Sequence, residues 1–186
     1  MLCVDTNVLV YAHRADLPEH ADYRSLLERL ANGDEPLGLA DLVLSGFVRV
    51  VTNRRIFREP TTSDEVWQAV DALLAAPAAM TLRAGERHWV SFRQLATDIN
   101  ARGNDIPDAY VAAYAVENNA IWLSADRGFA RFPRLRWSHP MNLRSMGPLS
   151  RHHSAERDPE PSCRTSARGA GSGASVEARA QSSNPP

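Results

Sequence analysis

The first 140 residues alternate short apolar runs with amphipathic segments, and this alternation limits the fold more than any other feature of the chain. Five short runs are strand candidates: LCV, LGL, MTL, IWLS and LRW. Four segments between them have helical periodicity: HADYRSLLERLA, DEVWQAVDALLA, ERHWVSFRQLATDI and PDAYVAAYAVEN. We expect Ser63 to be the N-cap of the helix DEVWQAVDALLA and Trp89 to face the core from ERHWVSFRQLATDI. Pro107 is expected to be the first residue of the helix PDAYVAAYAVEN. Strands that alternate with helices predict an α/β/α sandwich with a mostly parallel central sheet.

The composition changes towards the end of the chain. Beyond about residue 146 the sequence is rich in Pro, Gly, Ser and Arg and contains no aromatic residue or isoleucine. Such a segment buries too little apolar surface to offset the entropy lost on ordering. We therefore expect residues 1–140 to form one folded domain and residues 141–186 to form a disordered tail.

Charge and cysteine content exclude several classes of protein. The formal net charge is -1, so any binding of nucleic acid must use a local basic patch. All 21 basic residues are arginine, which excludes mechanisms that need a lysine. Cys3 and Cys163 have neither disulfide-like nor zinc-like spacing. The sequence also shows no membrane-length apolar run and no signal peptide, so we expect a cytoplasmic protein.

Three acids fall where the chain leaves predicted strands or enters a helix. Asp5 follows LCV, Asp126 follows IWLSA, and Asp108 lies in the first turn of a helix rich in alanine. In parallel sheets, sites form at the carboxyl ends of the strands. Clustered carboxylates repel one another unless a cation joins them, and Mg²⁺ or Mn²⁺ prefers such oxygen ligands. The pattern predicts a metal site that hydrolyses a nucleic-acid backbone, although each acid alone is compatible with simple helix capping.

Neutral polar residues accompany these acids. Thr6, Asn7 and Ser124 are expected to orient the carboxylates or waters. Asp105 is interpreted as a loop or capping acid, with contact to the metal as the alternative. The histidines show no metal-ligand spacing, and we expect these four to lie at the surface or to pack: His13, His20, His88 and His139.

Three segments resemble one known family. VDTNVLVY, PDAYVAAYAVENNA and SADRGFARFPRL, in this order, are similar to the PIN domain and specifically to VapC-type toxins of bacterial toxin–antitoxin pairs. The resemblance covers residues 1 to about 140. It implies an α/β/α nuclease that depends on Mg²⁺ or Mn²⁺ and cuts RNA. It also implies a homodimer and a cognate VapB-type antitoxin.

The resemblance makes Asp5, Asp108 and Asp126 the family's first, third and fourth acids, with catalytic and metal-binding roles. The second acid, normally a glutamate in an S-E-F-like context, is replaced here by Gly46. Asp41 lies one turn earlier and is a possible substitute, but a helix N-cap role is the stronger expectation for it. This departure leaves open one metal or two, or a noncatalytic module that binds RNA or antitoxin.

Arginines near these motifs are candidates for RNA contact, because guanidinium groups bind phosphate in a bidentate manner. A first group lies in and after the helix that carries Gly46: Arg49, Arg54, Arg55 and Arg58. A second group follows Asp126: Arg127, Arg131, Arg134 and Arg136. A phosphotransferase of the haloacid-dehalogenase type is the rival enzyme class. It needs a second acid where this chain has Asn7, and usually a lysine, so it fits poorly.

Overall fold

The computed structural model describes residues 1–144, and five strands in this part form one sheet. The strands are β1 (Leu2–Val4), β2 (Leu37–Ala40), β3 (Ala79–Leu82), β4 (Ile121–Leu123) and β5 (Trp137–Ser138). They lie in the order β3-β2-β1-β4-β5, and every neighbouring pair is parallel. Each predicted run therefore contributes to a strand, although only Trp137 of LRW belongs to β5.

Six α-helices accompany the sheet in the described part of the chain. They are α1 (Thr6–His13), α2 (His20–Ala31), α3 (Asp41–Val51), α4 (Ser63–Leu74), α5 (His88–Asp98) and α6 (Asp105–Glu117). Two short 3-10 helices, Arg127–Arg131 and Pro140–Arg144, precede and follow β5. α5 packs on α6, whereas α1 packs on α2 and α3. The helices thus form two sets, and the predicted α/β/α architecture is confirmed.

The central strands are buried because helices cover both faces of the sheet. All three residues of β1 are at most 3% exposed, and Trp122 and Leu123 of β4 are fully buried. Burial raises the pKa of the Cys3 thiol to about 12, so this cysteine stays protonated and unreactive. The apolar run before Asp5 is therefore the centre of the core.

Three helix details differ from expectation. Thr62, not Ser63, is the N-cap of α4, where its hydroxyl and the Glu65 carboxylate form a reciprocal capping box. α6 begins at Asp105, two residues before Pro107, because proline is tolerated throughout a first turn whose N–H groups lack helical acceptors. Trp89 does not face the core, since 66% of its surface is exposed.

The folded domain extends past the predicted boundary at residue 140. Residues Pro140–Arg144 form a 3-10 helix, and Leu143 is buried in the core, so the first four residues of the predicted tail belong to the domain. The remainder of the predicted tail lies outside the described residues. Within residues 1–144, no helix has the length and apolar character needed to cross a membrane.

Candidate active site

The candidate site lies at β1, where the order in which strands are added to the sheet reverses. The chain passes from β1 to β2 on one side, and β4 later adds to the opposite side of β1. Ligand sites in parallel sheets lie outside the strand ends at such a switch point. Asp5 directly follows β1, and its N–H donates to the carbonyl of Leu123 at the end of β4 (2.9 Å). The two strands thereby bring Asp5 next to Ser124 and the segment that carries Asp126.

Asp5 is 9% exposed, and three donors hold its carboxylate. Its Oδ1 accepts from the backbone N–H of Thr6 (2.7 Å). Its Oδ2 accepts from Asn7 Nδ2 (2.7 Å) and from Ser124 Oγ (2.6 Å). These contacts fix the orientation of a buried charged group, and they also make Asp5 the N-cap of α1.

Ser124 joins the two strand ends. Besides donating to Asp5, its hydroxyl oxygen accepts from Asn7 Nδ2 (2.9 Å) and from the N–H of Asp126 (3.0 Å). Asn7 Oδ1 in turn accepts from the N–H of Ala125 (3.2 Å). Asn7 and Ser124 therefore contact the acids as expected. Thr6 acts differently, because its backbone N–H holds Asp5 while its hydroxyl lies 3.4 Å from the carbonyl of Val43.

Asp5, Asp108 and Asp126 lie within electrostatic reach of one another. Burial raises the pKa of Asp5 to about 6, against the effect of the hydrogen bonds from Ser124 and Thr6, and the charges of Asp108 and Asp126 add to the rise. Burial also raises the pKa of Asp108, and the Asp126 carboxylate adds to that shift. Asp126 is exposed, and its Oδ1 accepts from the N–H of Gly128 (2.7 Å), so it caps the following turn as well.

The donor set fits a hard cation that retains much of its water. Within residues 1–144, no three His, Cys, Asp or Glu side chains are close enough to enclose an ion, so the three predicted ligands form no cage as they are placed. Mg²⁺ in proteins is usually bound by one or two carboxylates and several waters. A buried oxygen ligand at Asp5, with two further carboxylates nearby, satisfies this requirement. The histidine prediction agrees for His88, which packs 4.4 Å from the ring of Tyr114.

Asp105 and Asp41, the possible substitute ligands, have other partners. Asp105 lies in the first turn of α6, accepts from the N–H of Arg102 (3.2 Å) and forms an ion pair with Arg131 (2.7 Å). Asp41 is the first residue of α3 and not its N-cap, which is Ala40. Its Oδ1 accepts from the hydroxyl of Tyr114 (2.7 Å), a bond that ties α3 to α6.

Gly46 allows α3 to approach the start of α1 more closely than any side chain permits. A Cβ at position 46 would lie 2.9 Å from Oγ1 of Thr6, a separation that real Cβ atoms almost never show. The hydroxyl of Thr6 therefore lies where the family's second acid would begin. Helix periodicity alone does not predict this contact, although an internal glycine is an indication of close approach.

We expect Gly46→Ala to lower the free energy of unfolding by about 1 kcal/mol. Alanine favours a helix by about 1 kcal/mol over glycine, but overpacking costs about 1–3 kcal/mol. Thr6→Ser in the same chain should restore the loss, because serine lacks the branch that stiffens χ1 of threonine. Urea unfolding of the single and double variants gives the free energies of unfolding that test this prediction. A Gly46→Ala protein more stable than the wild type would contradict the close-contact interpretation.

The raised pKa of Asp5 predicts how stability depends on pH when a chelator is present. The shift from 3.8 to about 6 means that the folded state holds this proton more tightly than the unfolded chain. The resulting stabilisation is complete below pH 3.8 and is lost as the pH rises through about 6, by about 3 kcal/mol. The free energy of unfolding, measured with urea across this pH range, should fall more steeply for the wild type than for Asp5→Asn. Parallel curves for the two proteins would contradict it.

Four of the arginines predicted to contact RNA are exposed. Arg49 lies in the last turn of α3, and Arg54 and Arg55 lie in the turn that follows. Arg127 follows Asp126 in the first 3-10 helix. Their guanidinium groups are therefore accessible from solvent, and their contact with RNA stays a prediction.

Comparison with known proteins identifies the family. The family model described as PIN domain matches residues 2–135. Ribonuclease VapC43 of Mycobacterium tuberculosis is 78% identical over 142 residues, which cover 76% of this chain and 97% of that protein. Ribonuclease VapC25 of the same organism is 40% identical over 140 residues, covering 75% and 99%.

Solved structures agree at the level of the fold. VapBC2 from Rickettsia felis, bound to a DNA fragment from its promoter, matches with a TM-score of 0.57 at 20% identity, covering 74% of this chain and 97% of that one. VapC20 of Mycobacterium tuberculosis, described as a sarcin-ricin loop cleaving toxin, matches with a TM-score of 0.52 at 13% identity, covering 73% and 98%. Together with the sequence matches, this shows that the chain belongs to the PIN domain family and, within it, to the VapC ribonucleases.

Proposed function

We propose that the protein is the toxin of a type II toxin–antitoxin pair and acts as a divalent-metal-dependent endoribonuclease on RNA phosphodiester bonds. One observation carries this proposal: the Asp5 carboxylate is buried at the switch point of the sheet, within electrostatic reach of Asp108 and Asp126. Burying a carboxylate is unfavourable for folding unless a partner compensates it. A divalent cation supplies that compensation, and relatives named as VapC ribonucleases support the same activity.

Mg²⁺ is the proposed cofactor, with Mn²⁺ as the alternative. Asp5 and Asp108 would hold the principal ion, and Asp126 would complete or flank the site. When bound there, the ion would polarise a phosphate and lower the pKa of a bound water. The chemistry of the donors supports this, because carboxylate oxygens are the ligands that these hard cations prefer.

The residues around Asp5 have positioning roles in this proposal. Ser124 donates to Asp5 and accepts from the N–H of Asp126, so one hydroxyl relates the two carboxylate-bearing segments. Asn7 holds Asp5 with its amide nitrogen and the chain after β4 with its amide oxygen. Thr6 contributes its backbone N–H. Such ligand-orienting contacts commonly affect metal affinity and activity strongly.

RNA would bind through exposed arginines at the surface. Arg49, Arg54, Arg55 and Arg127 are the candidates, and their exposure supports the proposal. Contacts to phosphate set affinity and orientation, whereas sequence preference requires contacts to the bases. We therefore assign these arginines to affinity.

A VapB-type antitoxin is the proposed partner, and the toxin is proposed to act as a homodimer in the cytoplasm. Solved structures that share the fold include VapBC complexes from Rickettsia felis and Haemophilus influenzae, which supports a partner of this kind. The alternative of a noncatalytic module weakened by Gly46 has no support in the comparisons, since relatives up to 78% identical are named ribonucleases.

Cleavage of total cellular RNA by the purified protein tests the proposal. Discrete fragments are expected with Mg²⁺ or Mn²⁺, and none with a chelator. Folded protein that leaves RNA intact in both metals would contradict an enzymatic role. Hydrolysis of small phosphate esters without RNA cleavage would instead favour the phosphotransferase class.

A further inference from the structure

Arg131 is the arginine that the described residues place against the candidate acids. It ends the 3-10 helix Arg127–Arg131, which begins directly after Asp126. Its Nη2 lies 2.7 Å from Oδ1 of Asp105 and 3.5 Å from Oδ2 of Asp108. Within residues 1–144, these are the ion pairs that join an arginine to Asp105 or Asp108, and the other arginine ion pairs involve other acids. The sequence groups Arg131 with three other arginines and gives it no separate role.

The guanidinium group is oriented without being enclosed. Asp105 is itself fixed by the N–H of Arg102, so it forms a stable anchor for Arg131. The guanidinium carbon lies 5.4 Å from the centroid of the Phe132 ring, which supports one face of the group. The side chain is still 40% exposed. A guanidinium has five N–H donors, so pairing with Asp105 leaves donors available to a second anion.

We propose that Arg131 binds a non-bridging oxygen of the RNA phosphate that is cut, with Asp105 as the residue that positions it. This rests on the proposed ribonuclease function. Negative charge grows on the phosphate oxygens during cleavage, and a fixed cation beside Asp108 stabilises that charge. Arginine suits this role because its planar donors match both a carboxylate and a phosphate. In the proposed complex, Arg131 exchanges its longer contact with Asp108 for the phosphate and keeps its contact with Asp105.

Kinetics of Arg131 variants provide the first test. We expect Arg131→Ala to lower kcat for RNA cleavage about 100-fold, the usual loss when one preorganised donor to a developing charge is removed. Arg131→Lys should recover part of the loss, since lysine keeps the charge without the bidentate geometry. Arg24→Ala is the matched control, because it also removes one exposed arginine from an ion pair, with Glu28 on α2. It should cleave as the wild type does.

A double-variant comparison separates positioning from general structure. Asp105→Asn should lower kcat less than Arg131→Ala, and combining the two should cause no further loss, because Asp105 acts through Arg131. Additive losses would contradict the assigned role of Asp105. Thermal unfolding of each variant identifies any general loss of structure, which we expect to be small because exposed ion pairs contribute little to stability.

The salt dependence of RNA binding tests the phosphate contact without using cleavage. With Asp5 intact and a chelator present to prevent cleavage, binding of a labelled single-stranded RNA is measured over a range of salt concentrations. Arg131→Ala should reduce the slope of log K against log salt by about 0.7, the value for one phosphate contact on a single strand. Equal slopes for Arg131→Ala and Arg24→Ala would overturn the proposal.

The outcomes distinguish this inference from the ribonuclease proposal. If the wild type cleaves RNA and Arg131→Ala cleaves equally well, Arg131 does not bind the cut phosphate, while the ribonuclease function stands. If the wild type cleaves no RNA, the ribonuclease function fails and so does the claim that this phosphate is cut. A slope lowered in Arg131→Ala alone would then retain Arg131 as an RNA phosphate ligand. Tighter Mg²⁺ binding in Arg131→Ala with an unchanged slope would show that Arg131 only neutralises the acids, which overturns the proposal.

Discussion

Asp5→Asn is expected to lower metal-dependent RNA cleavage by at least about 100-fold while the protein stays folded. Asparagine has nearly the same shape as aspartate, so the core around β1 is undisturbed. It lacks the negative charge that attracts a divalent cation, however. It also replaces one carboxylate oxygen by an NH₂ group, which accepts no hydrogen bond, so either the bond from Thr6 or the bonds from Asn7 and Ser124 are lost. The variant should therefore lose both metal affinity and the orientation of the site.

Three measurements decide this prediction. Cleavage of total RNA gives the activity, calorimetric titration with Mg²⁺ gives the metal affinity, and circular dichroism verifies the fold. Asp71→Asn is the matched control, because it removes one carboxylate from the exposed surface of α4. Undiminished cleavage by Asp5→Asn would show that the buried carboxylate is unnecessary and would remove the main support for the proposed function.

Ala112→Leu is expected to destabilise the protein by about 1–3 kcal/mol and to reduce cleavage as well. Ala112 is fully buried and lies one turn after Asp108 on the same face of α6. It belongs to a stripe of fully buried small residues: Ala109, Ala112, Ala113 and Ala115. Leucine adds three carbon atoms to a packed contact, so α6 must move outward. A displacement of about 1 Å at Asp108 is enough to reduce catalysis about 100-fold.

Urea unfolding and RNA cleavage of the variant test this link between packing and the site. Ala72→Leu serves as the control, because it makes the same change at an exposed position of α4 and should alter stability by less than about 0.5 kcal/mol. If Ala112→Leu matched this control in both measurements, the close packing of α6 would not determine the position of Asp108.

The sheet and the position of the candidate acids at its edge follow from the sequence because both depend on local pattern. Short apolar runs mark strands that are buried on both faces, and the acids after LCV and IWLSA mark their carboxyl ends. Contacts of Asn7 and Ser124 with Asp5 also follow from this placement. α1 was not indicated, because Val8, Leu9, Val10 and Ala12 are all buried and leave no polar face to reveal a helical period.

Distances between elements do not follow from local pattern. The separation of α1 and α3 depends on how both helices pack, so the contact of Gly46 with Thr6 appears only in the folded protein. The hydroxyl of Thr6 turns to Val43 for the same reason, although sequence position suggests that it serves Asp5. Arg131 is likewise distinguished from its neighbouring arginines by a tertiary ion pair.

The hydrogen bond between Asp5 and Ser124 joins two parts of the chain that are synthesised at different times. A ribosome builds the chain from its N-terminus, so Asp5 emerges more than a hundred residues before Ser124. Until β4 pairs with β1, the Asp5 carboxylate lacks its hydrogen bond from Ser124, and Asp126 is not held near Asp5. Partly synthesised chains therefore cannot contain all three carboxylates of the proposed site. A cell that makes this protein is exposed to its active form only after nearly the whole domain has left the ribosome.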